Sequence, residues 1–153
     1  MTENRADAVH EFCEKLVKGL NFDLAVEASL VEGTVHINLT GGDRPLLLSN
    51  TASILNSLEY LVNKIFHANR NEEVPSIILD SDNYRQHREA ELVLLAQMAS
   101  KKVLSQGKPL NLQPMTPKER RIVHLALAQI EGVRSQSEGE GEHRSITIHP
   151  AGN

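Results

Sequence analysis

Lys118, Arg120, Arg121 and His124 lie within seven residues of one another, and their types suit one task, holding a phosphate group. At about 100° per residue on a helix, Ile122, Val123, Ala126, Leu127 and Ile130 fall in one arc, which must face a core. Arg120 and His124 stand one turn apart on the other side, and Lys118 and Arg121 share that exposed side. A guanidinium can grip a phosphate bidentately, and an imidazole can donate a hydrogen bond or stack on a sugar or base. The helix has a strong start: Thr116 at the cap, Pro117 at the first helical position and Glu119 three residues after the cap, the pattern of a capping box. Backbone N–H groups at such an end also favour anions.

Other chemistry is thin. The chain has 7 His and 20 acidic residues, but no H-x-x-x-H or H-E-x-x-H spacing, so no metal or other cofactor is expected. Cys13 falls on the apolar face of a helix and reads as a small core residue. Ser137, Glu138 and His143 resemble a hydrolytic set only in type, because no nucleophile elbow holds them. An enzyme is not expected.

The elements that must position these residues follow from periodicity. Val9, Phe12, Cys13, Leu16 and Val17 make an amphipathic helix over residues 3–19, ended by Gly19. Val35, Ile37 and Leu39 alternate with polar residues, and Glu32-Gly33 supplies a hairpin turn from the run 24–30. After Leu46-Leu47-Leu48 a long helix carries Ile54, Leu55, Leu58, Leu61, Val62 and Ile65, and Ile77-Ile78-Leu79 is a short strand: α-β-β-α-β. A second unit begins at the turn residues Asp80-Ser81-Asp82-Asn83. Leu92, Leu95, Ala96, Ala99 and Val103 make one face of a helix stopping near Gly107. Leu110 and Leu112 are extended, the Thr116 helix runs to about Ile130, and residues 133–137 and 144–148 form a hairpin around Gly139-Glu140-Gly141. Residues 150–153 read as a flexible tail.

Composition limits the function classes. The 153 residues carry a net charge of -4 and only 3% aromatic residues, which argues against coating nucleic acid non-specifically and against broad base-stacking surfaces. The polar N-terminus and the lack of a long apolar run exclude direct membrane insertion and point to the cytoplasm, as does the single cysteine. The average hides an asymmetry. Residues 1–80 hold 6 Lys/Arg and 12 Asp/Glu, a net of -6, whereas residues 85–134 hold 9 and 4, a net of +5. One half is suited to an anionic partner.

The segment from Met115 through Thr116-Pro117-Lys118-Glu119-Arg120-Arg121-Ile122-Val123-His124 to Leu127, followed by Gly132-Val133-Arg134-Ser135-Gln136-Ser137-Glu138-Gly139-Glu140-Gly141, resembles the R-three-H domain, named for an Arg and a His separated by three residues. With both flanks in order, the form resembles that of the bacterial Jag family, the SpoIIIJ-associated proteins. Tyr84-Arg85-Gln86-His87-Arg88-Glu89 resembles the entry to that domain's first helix. The resemblance extends to the first half, where the family has a KH domain and where Leu55-Asn56-Ser57-Leu58-Glu59-Tyr60-Leu61-Val62 matches.

The resemblance implies an α+β fold of two small domains: a KH-like domain over residues 1–80, then an R-three-H domain over residues 81–149 with two helices on a small, mainly antiparallel sheet. RNA-binding KH domains use a G-x-x-G loop. Its counterpart here, Ser49-Asn50-Thr51-Ala52, has neither glycine nor any cation, so that half is expected to be degenerate for RNA contact. The separate N-terminal domain of many members has no counterpart in these residues, and a short form is expected. The expected function is single-stranded RNA or DNA binding, centred on Arg120 and His124 with Lys118, Arg121, Arg134, Arg85 and Arg88 in support. The alternative is an adaptor whose KH-like half pairs with another KH-domain protein or with itself, in cell elongation or envelope assembly.

Overall fold

The computed structural model describes residues 2–68 and 74–152, and the chain divides into two units, Met1–Tyr84 and Arg85–Asn153. In the first, α1 (Thr2–Gly19) precedes β1 (Ala25–Val31) and β2 (Thr34–Thr40), then come α2 (Arg44–Phe66) and β3 (Ile77–Asp80). β1 and β2 are antiparallel, and Glu32 and Gly33 close them at φ 49° and 78°, the backbone a two-residue hairpin demands. β2 and β3 are parallel, giving the order β1-β2-β3. The alternating Val35, Ile37 and Leu39 pack with Val9, Cys13 and Val17 of α1 and with Leu55, Leu58 and Val62 of α2. Burial pushes the Cys13 thiol up to about 11, so it is inert at neutral pH.

Side chains cover part of both sheet edges, which would otherwise present unpaired backbone groups. His10 Nε2 lies 2.9 Å from Val26 O on β1. On β3, Asn63 Nδ2 donates to Ile77 O at 2.8 Å, and Glu59 Oε2 accepts from Leu79 N at 3.0 Å.

Two expectations about this unit shift. Leu46, Leu47 and Leu48 lie inside α2, which begins at Arg44, rather than before it. The counterpart of the glycine loop then interrupts the helix: Ser49 is extended, and Asn50, Thr51 and Ala52 have φ of 52°, 57° and 57°. The boundary also falls after Tyr84 rather than after residue 80. Ser81 is fully buried, its hydroxyl donates to Leu39 O at 2.6 Å, Arg44 bonds both its Oγ and its carbonyl, and Tyr84 packs on the first core.

The second unit contains α3 (Tyr84–Gln106) from Arg85 onward, β4 (Leu110–Asn111), α4 (Pro117–Ala128), β5 (Val133–Glu138) and β6 (Ser145–Pro150). Both strand pairs are antiparallel, in the order β4-β6-β5. Leu92, Ala96, Ala99 and Val103 of α3 meet Val123 and Leu127 of α4 and Ile146 and Ile148 of β6 in one core. Leu95 is 38% exposed, because it stands about 60° round the helix from Leu92. α4 ends at Ala128, two residues before Ile130. Pro150, assigned above to a tail, pairs with Val133 as the last residue of β6, and Ala151 N donates to Gly132 O at 2.8 Å. Residue 153 lies outside the described residues. Among the described residues no helix is long and apolar enough to cross a membrane.

Left-handed backbone costs an L-residue about 1–2 kcal/mol, and Thr51 also carries a branched β-carbon. Thr51→Gly removes that cost and gives back part of it as unfolded-state entropy. The expected net stabilisation is about 0.5–1 kcal/mol, read as a higher urea midpoint at unchanged m-value; a lower midpoint would contradict the strained geometry.

Candidate nucleic-acid interface

The N-terminus of α4 is built as the capping box foretells. Thr116 Oγ1 accepts from Glu119 N at 3.3 Å, and Glu119 Oε2 accepts from Thr116 N at 3.1 Å. Pro117 has no N–H, so the cap leaves that end few donors, and the Glu119 carboxylate occupies it. The helix end therefore offers an anion little, contrary to expectation. Glu119 is buried, and its other oxygen takes Arg88 Nε at 2.8 Å, while Arg88 Nη1 reaches Glu91 at 3.3 Å. Arg88, expected to support binding, is instead a structural partner of a buried carboxylate.

Arg120 and His124 occupy the flank of α4 nearest β5. Arg120 Nη1 donates to Met115 O at 2.7 Å, which fixes the guanidinium, and Met115 O is its only hydrogen-bond acceptor among the described residues. Its remaining N–H groups are left for a ligand. His124 is held more fully: Nδ1 is 2.7 Å from Ser135 Oγ and Nε2 is 2.7 Å from Ser137 Oγ. With both nitrogens taken, the ring is a crosspiece between α4 and β5, and neither nitrogen is free for the expected direct hydrogen bond to a ligand.

A further cation belongs to this group. Ser135 pairs with Ile148 and Ser137 with Ile146; continuing the alternation along β6, Arg144 falls on the same face. Its Nη1 donates to Gly139 O at 2.7 Å. Gly139 has φ 88°, and a β-carbon there would lie 3.1 Å from His143 O, so only glycine suits the turn. Burial, then Arg120, then Arg144 hold the His124 pKa below its ordinary 6.5. The site at neutral pH is two guanidiniums about a neutral imidazole, with two hydroxyls beside it.

The other expected residues separate. Arg121 is exposed and stands about 60° round α4 from His124, whereas Lys118, also exposed, is about 160° from Arg120. Arg134 neighbours Ser135 on β5 and so projects from the opposite face, level with His149. Arg85 is half-buried on the first turn of α3. The place of Ser135, Ser137 and Arg144 beside His124 was not foreseen from the sequence, where Ser137 entered only as part of a dismissed hydrolytic set, yet a signal existed: polar residues at 135 and 137 and Arg144 before Ile146 and Ile148 all keep a period of two. Among the described residues no group of three or more potential ligands could hold a metal ion.

Residues 90–150 match the R-three-H domain. An RNA-binding protein KhpB from Clostridium symbiosum is 33% identical over 148 residues, covering 95% of this chain and 66% of that protein. The KhpB proteins of Bacillus subtilis (31% identical, 82% of this chain, 60% of theirs) and Lactiplantibacillus plantarum (29%, 92% and 44%) align as well. The chain belongs to the Jag family. It spans between 44% and 66% of the length of these Jag relatives.

Two outcomes test this geometry. Arg88→Met leaves the buried Glu119 charge short of a partner and is expected to cost about 3 kcal/mol in urea unfolding; a loss below about 0.5 kcal/mol would show that Glu119 does not depend on Arg88. A lowered folded-state pKa means that the unfolded chain binds the extra proton first, so the His124 contribution is present above pH 6.5 and is lost as pH falls through the folded value. The stability advantage of the wild type over His124→Gln should therefore shrink from about pH 7.5 to about pH 5, and a widening gap would reverse the assignment.

Proposed function

We propose that this chain binds single-stranded RNA through its second unit, in the cytoplasm and without catalysis. The observation that carries the reading is the pair Arg120 and Arg144 about a neutral His124 that Ser135 and Ser137 hold in place. Each guanidinium is anchored by one backbone carbonyl, at Met115 and Gly139, and presents its remaining N–H groups to a phosphate. Arg121 adds charge from the same side of α4. The names of the relatives, which are RNA-binding proteins, support RNA over DNA as the polymer. With few aromatic residues, contacts are led by phosphate and discriminate weakly among bases.

The first unit has a different role in this reading. The Ser49–Ala52 break carries no cation, the unit's acidic excess repels phosphate, and Tyr60, Leu61 and Ile65 are exposed on α2. We assign it to contact with a protein.

Fluorescence anisotropy with a short labelled RNA at several salt concentrations tests the RNA-binding assignment. Two to three phosphate contacts give a log–log salt slope of about -2, and Arg120→Ala or Arg144→Ala should each flatten it by about 0.7. Arg134→Ala should leave it unchanged. Undetectable binding at low salt, or an unaltered slope in the Arg120→Ala, Arg144→Ala double variant, would refute the assignment.

A further inference from the structure

We propose that the second unit binds RNA together with a proton: His124 becomes an imidazolium as a backbone phosphate arrives, and Ser135 and Ser137 then both donate to that phosphate. The proposal rests on the RNA-binding reading above and specifies how that site is regulated.

The hydrogen bonds at His124 carry it. A neutral imidazole has one N–H and one bare nitrogen. With both nitrogens 2.7 Å from serine hydroxyls, one serine must accept from the ring and the other must donate to it. One O–H is therefore spent inside the site. When the ring takes a proton from solvent, both nitrogens donate and both serine oxygens accept. The O–H that pointed at the ring is released and rotates outward. No bond to the ring is lost, no heavy atom has to move, and the site gains a donor and a charge. Both serines are half-buried and reachable from solvent.

The surroundings explain why the proton waits for the phosphate. Among the described residues no carboxylate bonds His124, so none of them fixes it as a cation, and Arg120 from α4 and Arg144 just before β6 repel its charge. A phosphate between those guanidiniums offsets that repulsion. The remaining charges nearby are separately engaged or in water. Glu138 of β5 faces the opposite side of the sheet, where it accepts from Thr147 Oγ1 at 2.8 Å and lies 3.8 Å from His149. Glu140, Glu142 and His143 of the turn, and Lys118 and Arg121 of α4, are exposed.

A uridine oligomer with hydroxyl ends tests this, because neither its bases nor its internal phosphates titrate near neutrality. Calorimetry of the full chain in buffers of different ionisation enthalpy is expected to show proton uptake of up to about one per site near pH 6.5, and affinity rising by up to about tenfold per pH unit lowered. His124→Gln should bind more weakly, with no uptake and a flat pH profile. The Ser135→Ala, Ser137→Ala double variant should lose the gain at low pH. Binding without uptake by the wild type, or uptake that persists in His124→Gln, overturns the proposal while leaving RNA binding intact. Absence of binding at any pH at low salt overturns the RNA-binding reading, and this proposal with it.

Discussion

The carboxylate of Glu119 is the constraint on which the second unit depends. It is buried, so its charge must be met by partners or the fold loses several kcal/mol. One oxygen takes the Thr116 amide and fixes where α4 begins; the other takes Arg88 and ties α4 to α3. The next residue is Arg120, and His124 follows one turn later. A helix start that could slip by one residue would rotate both by about 100°, carrying His124 away from the serines of β5. The cap thus sets the angle at which Arg120 and His124, the centre of the proposed site, leave α4.

The second consequence is a reversal of roles within the Arg-x-x-x-His pair. Arg120 retains most of its donors, and Met115 O merely orients it. His124 is committed on both sides to β5 and contributes position and, through its protonation state, charge. Arg144, outside the pair, supplies a second guanidinium. It does so because Gly139 permits the turn to fold back until its carbonyl accepts from Arg144. The glycines of the turn are thus a means of placing a cation.

The element order, the capping box and the core residues of β2 and α4 were legible because they follow from local periodicity and cap chemistry. The expected supporting cations were legible only as charges. Charge runs along the sequence, but a site exists in space: Arg134 stands apart from Arg120 and His124 because a strand turns alternate residues to opposite faces, Lys118 because a helix turns by 100°, and Arg88 because a buried carboxylate on another helix claims it. Arg144 could have been found by extending the period-two pattern of Ile146 and Ile148 back across the turn. The Ser49–Ala52 break was legible as a missing motif, but not as a left-handed turn without glycine. Residue types do not reveal backbone that the rest of the fold imposes on them.

Hydroxyls, rather than a carboxylate, beside His124 decide what kind of site this is. A carboxylate partner would hold the imidazolium permanently, but its own charge would cancel the gain and repel phosphate. Serines accept or donate as needed and carry no charge, so the positive field at neutral pH comes from the guanidiniums, chiefly Arg120 and Arg144. The same neutrality leaves room for one more positive charge when an anion compensates it. Local arrangement, not the net charge of the chain, determines whether a phosphate is held.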